Sequence, residues 1–345
     1  KIYLYGGYGV EKNLEKAVNN LEKAVENGSS FAIKTLGDCY YNGQGVKKDI
    51  KKAIKYYKES YAKGNYDVSV ILGFCYANGE GVTKDYQKAV FYLNKAKTLK
   101  NVEAIEKLGE LYFEGGFGIE TNYSNAFSCF IIAAKYQNVD SYRYLGYCYF
   151  KGYGTEQNYT EAVNYMEMAI ITGDPATYHN LAYCYFNGYG IEKDYSKAFE
   201  LFEKAANKGN AYSLVFLGEC YSKSLGVNQD YAKAFEYFEK AAIYDDVYAL
   251  NAIGDFYYYG HGVEQSYESA VTYYTRAADL GNYHSKISLG TCYYYGYGVK
   301  ASLVDALEYW LFGIIDNPNF ISCIVFVICI IILYKSFTSL CFCLC

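Results

Sequence analysis

Along residues 31–41, FAIKTLGDCYY, apolar or small side chains recur at Ala32, Leu36, Cys39 and Tyr40. That i, i+4, i+7, i+8 spacing gathers them on one stripe of a helix and predicts an element buried along a single face. The pattern returns through the chain. Its Leu-Gly landmark falls at Leu36, Leu72, Leu108, Leu145, Leu181, Leu217, Ile253 and Leu289, in steps of 36 residues with a single step of 37. The extra residue sits in EGGFG, 114–118, a turn that absorbs an insertion without shifting helical register. We denote this first helix of each unit helix A. Its tyrosine column, Tyr40, Tyr76, Tyr112, Tyr149, Tyr185, Tyr221, Tyr257 and Tyr293, is filled in all eight complete copies.

Helix A is expected to stop at Gly43 and its equivalents, since glycine takes the left-handed C-cap conformation without strain. A Gly-x-Gly turn follows, then a column of Asn13, Asp49, Asp85, Asn122, Asn158, Asp194, Asp230, Ser266 and Ser302. Each side chain can accept a hydrogen bond from the free amides that open a second helix, B. Four residues further stands an alanine in all nine copies: Ala17, Ala53, Ala89, Ala126, Ala162, Ala198, Ala234, Ala270 and Ala306. A second small residue usually follows seven positions later, as at Ala96 and Ala205, so helix B is expected to lie tight against helix A. Inside helix A, glycine recurs at Gly37, Gly73, Gly109, Gly146, Gly218, Gly254 and Gly290, with Ala182 the one replacement. Because glycine weakens a helix interior by roughly 0.5–1 kcal/mol, its repetition predicts that another backbone passes close to it. One hairpin of A and B cannot cover its own apolar face, so the copies are expected to stack into a single array.

The combination of Leu-Gly, Tyr, Gly-x-Gly-Val, Asp-Tyr, Lys-Ala and a following small residue resembles the Sel-1-like repeat, a helical hairpin related to the tetratricopeptide, over residues 1–312. That resemblance implies an all-α, right-handed superhelical solenoid of about eight and a half repeats, used for protein binding and complex assembly rather than catalysis. Relatives include the membrane adaptor of the endoplasmic reticulum degradation ubiquitin ligase, activators of fungal chitin synthase and secreted bacterial proteins with two bonded cysteines per repeat. This chain departs from the last group. Cys39, Cys75, Cys148, Cys184, Cys220 and Cys292 share one column without a partner column. Equivalent positions in stacked hairpins lie roughly 10 Å apart, beyond disulfide reach, so these thiols read as small buried apolar groups.

Composition adds little chemistry. A net charge of −5 with 20% charged residues offers no basic surface for nucleic acid. Tyrosine is abundant, at 46 residues, and codon bias in an AT-rich genome accounts for much of it on the simplest reading. The Gly-x-Gly turns follow helices and recur eightfold, with Ser224-Leu225-Gly226 in the remaining place, unlike a dinucleotide fingerprint, which opens a helix after a strand. His179, His261 and His284 fall in three different columns, with no nucleophile and base beside them, so no catalytic, metal, cofactor or small-molecule site is expected. Asn27-Gly28-Ser29, Asn122-Tyr123-Ser124 and Asn158-Tyr159-Thr160 match the glycosylation sequon, but two of the three asparagines already serve the N-cap column.

Since the constant columns do the folding, a partner is expected on the variable ones. Two residues before and two after the landmark Leu share one helix-A face. They are Lys34 and Asp38, Val70 and Phe74, Glu106 and Glu110, Arg143 and Tyr147, His179 and Tyr183, Val215 and Glu219, Asn251 and Asp255, and Ile287 and Thr291. In tetratricopeptide-like arrays this face lines the concave groove, so the resemblance implies a protein partner there, centred on Arg143, Tyr147, His179 and Tyr183, residue types enriched at binding hot spots.

Beyond residues 313–319, read as a linker, the composition changes. Residues 320–334, FISCIVFVICIIILY, hold no charge, and the 26 residues 320–345 hold one, Lys335. As a helix the longer stretch is expected to reach across a bilayer with that lysine at the headgroups. A cap on the last repeat and a misread coding boundary are the competing readings. Unpaired thiols favour repeats in the cytosol, whereas Lys335 favours lumenal repeats. A chain that opens on Lys1, midway through a repeat, is expected to be a piece of a longer one. The functional expectation is a non-enzymatic scaffold, anchored at a membrane. The alternatives are a lumenal adaptor of endoplasmic reticulum quality control and a soluble signalling regulator.

Overall fold

The computed structural model describes residues 13–315, and the chain divides into two compact units, Lys1–Thr172 and Gly173–Cys345. The first unit holds α1 (Leu14–Glu26), α2 (Ser30–Asn42), α3 (Ile50–Ala62), α4 (Ser69–Asn78), α5 (Tyr86–Thr98), α6 (Val102–Glu114), α7 (Tyr123–Ala134), α8 (Val139–Lys151) and α9 (Tyr159–Ala169). The second holds α10 (Pro175–Asn187), α11 (Tyr195–Asn207), α12 (Tyr212–Lys223), α13 (Tyr231–Ala242), α14 (Val247–Tyr259), α15 (Tyr267–Asp279), α16 (Tyr283–Tyr295) and α17 (Leu303–Ile315). Even-numbered helices are A and odd-numbered helices are B, each A packing on the B that follows it. Among the described residues the architecture is all-helical, and the nearest thing to a strand is one isolated bridge, Gly116 to Ile119, in the turn that carries the insertion.

Local chemistry sets both ends of these helices. The B-cap column behaves as expected: Asp49 Oδ1, for example, accepts from the Lys52 amide at 2.9 Å and Asp194 Oδ1 from Lys197 at 2.9 Å. Six helices A end on a left-handed glycine, Gly43, Gly79, Gly152, Gly188, Gly260 and Gly296. Helix α12 ends instead on Ser224 at φ 57°, and α6 on Gly115 with a different backbone. A further column caps the helices A: Ser29, Asn101, Asn138, Asp174, Asn210, Asp246 and Asn282 each accept from an amide in the first turn.

Within each hairpin the alanines pack as anticipated. Ala17 is 5% exposed, and the eight later members of its column are wholly buried. Ser60 and Gly313 occupy the second small column in α3 and α17, Gly313 lying under the Tyr283 carbonyl and the Ile287 side chain. The helix-A stripe Ala32, Leu36, Cys39 and Tyr40 is buried as predicted.

The expectation of a close backbone at the helix-A glycine is corrected. A Cβ at Gly37 would stand 2.8 Å from the ring of Tyr57, one at Gly109 2.6 Å from Phe130, and one at Gly254 2.5 Å from Tyr274. The facing group is a large side chain twenty residues on, or twenty-one across the insertion: Tyr57, Leu93, Phe130, Met166, Phe238, Tyr274 and Trp310. Close backbone approach does occur, at the second glycine of the turn. A Cβ there would strike main-chain atoms at the start of the preceding helix B, as at Gly154 against Tyr123 and Gly298 against Tyr267, whereas at Gly118 it would meet only the Gln87 side chain. The glycines therefore serve two contacts, one within a hairpin and one between hairpins.

Tyrosine abundance also has a structural use. The constant helix-A tyrosine stacks on a helix-B tyrosine in Tyr40–Tyr56, Tyr76–Tyr92, Tyr149–Tyr165, Tyr221–Tyr237, Tyr257–Tyr273 and Tyr293–Tyr309, with ring centroids 5.4–5.8 Å apart. Where Lys precedes the constant alanine its ammonium can lie over the helix-A tyrosine, 4.1 Å from the Tyr40 ring for Lys52 and 4.2 Å from the Tyr185 ring for Lys197.

Seven cysteines, the six of the column and Cys129, are buried free thiols. Burial pushes Cys148, Cys184 and Cys220 up to about 12. No helix among the described residues is long and apolar enough to cross a membrane, and the segment 320–345 lies outside those residues.

Candidate functional site

The twelve side chains expected to face a partner, from Lys34 to Glu219, are all half-buried, wedged between the constant core columns and solvent. In the first unit four of them come together. Lys34 and Asp38 of α2 with Val70 and Phe74 of α4 line one open cleft of 390 Å³. Tyr41, Asp67, Val68, Ile71, Asn78, Glu80 and Glu103 complete it. Lys34 Nζ lies 2.8 Å from Asp38 Oδ2, while Asp38 Oδ1 accepts the Tyr57 hydroxyl at 2.9 Å. Glu80, the middle residue of its Gly-x-Gly turn, accepts the Tyr41 hydroxyl at 2.9 Å, and burial, reinforced by that bond, pushes the phenol up to about 12.

Glu106, Glu110, Arg143 and Tyr147 are outside this cleft and engage one another's surroundings. Glu106 accepts the Asn138 side-chain amide at 2.7 Å, and burial raises its carboxyl despite that bond. Glu110 takes both Lys107, at 2.7 Å, and the Tyr144 hydroxyl, at 3.2 Å. The Arg143 guanidinium lies 4.3 Å from the centre of the Tyr144 ring. Tyr147 packs by its edge on Phe113 and Tyr153, with centroids 6.1 and 5.8 Å away.

His179 and Tyr183 stand in the second unit. His179 Nδ1 is 2.9 Å from Ser213 Oγ, and its ring is surrounded by Phe202, Tyr212 and Phe216. Tyr183 meets Tyr189 and Phe216 at 5.8 and 5.6 Å. Val215 packs against that unit's core, and Glu219 pairs with Lys223 at 2.7 Å. Asp255 repeats the arrangement of Asp38, accepting the Tyr274 hydroxyl at 2.7 Å. Wherever the large helix-B side chain is a tyrosine, the residue two after the landmark is an aspartate that receives its hydroxyl, so Asp38 and Asp255 serve folding as well as the surface.

The sequence reading missed the cleft's other walls. Asp67 belongs to a single 3₁₀ turn, Tyr66–Val68, and Glu103 to the first turn of α6, each five residues before a landmark leucine and so outside the i, i+4 relation, whereas Val68, four before Leu72, continues the buried column of Ala32. Among the described residues no group of three or more His, Cys, Asp or Glu side chains is placed to hold a metal ion.

The chain is similar in fold to c5321, a protective antigen of uropathogenic Escherichia coli strains displaying an SLR fold. Identity is 26% and the TM-score 0.66, over 86% of this chain and 63% of that one. It is also similar to a Sel1 repeat protein from Oxalobacter formigenes, with 26% identity and a TM-score of 0.55 over 84% of this chain and 83% of the other. This chain thus spans just under two thirds of the length of c5321. No curated protein matches it. The Sel1 repeat itself matches at residues 1–29, 34–65, 70–101, 102–135, 139–173, 175–210, 211–243, 247–282 and 285–312. With nine copies of that hairpin over nearly all of residues 1–312, the chain belongs to the Sel1 repeat family.

Proposed function

We propose that this chain is a non-enzymatic scaffold that holds a protein partner against its helix-A face. The observation that carries the reading is the division of labour between columns. Residues that recur in every copy are consumed in caps, glycine contacts and core, whereas the flanking helix-A residues vary in chemistry and stay half-buried. Four of them open onto one cleft. Aromatic side chains such as Phe74, Tyr147 and Tyr183 supply contact area at small entropic loss.

Selection of a displayed peptide library on the full-length protein tests this. Binders are expected to be enriched, and a class of them to be lost on replacing Tyr147 and Tyr183 together by Ala, with helical content and melting nearly unchanged. Failure to enrich any binder would remove the scaffold reading. The apolar segment 320–345 supports a companion proposal, that the scaffold is held at a membrane with its repeats in the cytosol, and the seven unpaired buried thiols agree with a reducing compartment. Carbonate extraction should leave the full-length protein with the membrane, and protease protection would reveal lumenal repeats.

A further inference from the structure

The cleft of the first unit sets surplus negative charge around an apolar floor, and that chemistry narrows the partner. This step rests on the scaffold reading above and deepens it. Its floor is apolar: Val68 is fully buried, and Val70, Ile71 and Phe74 are half-buried. Four carboxylates stand around that floor, Asp38, Asp67, Glu80 and Glu103, against one lining ammonium, Lys34. Lys34 is already engaged by Asp38. Lys48 approaches from the rim, its Nζ 5.8 Å from the centre of the Tyr41 ring. Asp67 and Glu103 are exposed and have no ion pair among the described residues, and Glu80 receives only neutral donors, the Tyr41 hydroxyl and the Asn78 amide at 3.3 Å. The volume, 390 Å³, lies within the range of about 300–1,000 Å³ typical of sites that enclose a ligand group.

An apolar floor under surplus negative charge is complementary to a side chain that is apolar along its stem and cationic at its head. Lysine and arginine both meet that description. Arginine meets it better here, because its planar guanidinium stacks on aromatic faces, which Phe74 and Tyr41 provide, and forks between carboxylates. We propose that the first-unit cleft takes an arginine of a protein partner, with a neighbouring apolar residue of that partner seated on Val70 and Phe74.

The test uses the full-length protein and a short labelled peptide alternating arginine and leucine, read by fluorescence anisotropy. Saturable binding is expected, weakening as NaCl is raised. The double variant Glu80→Gln, Glu103→Gln should weaken it about tenfold, in keeping with one half-buried and one exposed charge. Lys34→Ala should tighten it, since the competing cation is gone, a gain that no merely structural role of Lys34 would give. Glu239→Gln, in the second unit, should leave it unchanged. Helical content and melting of each variant establish that it folds. A peptide with glutamine for every arginine binding within about twofold of the original would overturn the proposal while leaving the scaffold reading intact. So would spermine competing as well as the peptide, which would make the cleft a site for small polycations. Absence of binding by either peptide overturns it as well, and the library selection then decides the scaffold reading separately.

Discussion

At the scale of single residues, the helix-A glycine is the choice that sets the spacing of each hairpin. What occupies the space of its missing methyl is a large side chain of the facing helix, which changes from copy to copy among Tyr, Leu, Phe, Met and Trp. Because its type varies, the column carries no signature in composition; the one signal available was the constant distance of twenty residues from a constant glycine. Gly254 gives the sharpest case. Its neighbour Tyr274 is 1% exposed and its hydroxyl is held by Asp255, so the ring has nowhere to move. Gly254→Ala is therefore expected to destabilise the protein by about 1–3 kcal/mol through overpacking, outweighing a gain in helix propensity of about 1 kcal/mol. Ala182→Gly should lose only about 0.5–1 kcal/mol. Urea unfolding followed by circular dichroism measures both, and a Gly254→Ala protein more stable than its parent would show that the ring does not define this position.

At the scale of the element, helix starts and stops were more legible than helix contacts, because a cap is a local agreement between one side chain and two or three amides. The helix-B caps stand out in the sequence since a Gly-x-Gly turn precedes all of them but Asp230, where Ser224 replaces the first glycine. The helix-A caps are less legible, since the left-handed residue before them is a glycine in some copies, as at Gly281 before Asn282, and Lys100, Gln137 or Asp245 in others. One stop is chemically out of place. Ser224 ends α12 at φ 57°, where its counterparts are glycine, and a non-glycine residue is strained there by roughly 1–2 kcal/mol. Its hydroxyl recovers part of this by donating to the Val227 carbonyl at 3.1 Å. Ser224→Gly is expected to raise the stability by about 0.5–1 kcal/mol, the remainder going to the lost bond and the freer unfolded chain. A lower melting temperature in the variant would mean that the Val227 bond dominates.

At the scale of the whole molecule, the repeated hairpin was readable from periodicity alone, and the helix-A face followed from i, i+4 spacing. The acidic walls of the cleft did not, because Asp67 and Glu103 reach it from a 3₁₀ turn and from the next helix A. Both units share the same arrangement of buried thiols, which gives a measurable property of the full chain. Burial pushes Cys75 and Cys292 up to about 11 and Cys148, Cys184 and Cys220 up to about 12, from an ordinary 9.0. A folded-state pKa raised in this way means that stability is complete below 9.0 and declines as pH climbs from there toward about 12, since the unfolded chain then releases protons that the folded one retains. Maleimide labelling of these five cysteines, mapped by mass spectrometry, is expected to proceed at the rate of unfolding and to accelerate sharply above pH 9.0. Fast labelling at neutral pH would show that the column is open to solvent in the folded protein.

The second glycine of the turn has a consequence for how such a chain changes length over generations. It meets main-chain atoms of the neighbouring hairpin, at Gly154, Gly226 and Gly298 alike, and a carbonyl is the same whatever residue carries it. A joint made of backbone needs no matched pair of side chains. A recombination event that adds or removes whole units of 36 residues leaves the new junction already fitting, so array size can drift while helix-A faces diversify independently.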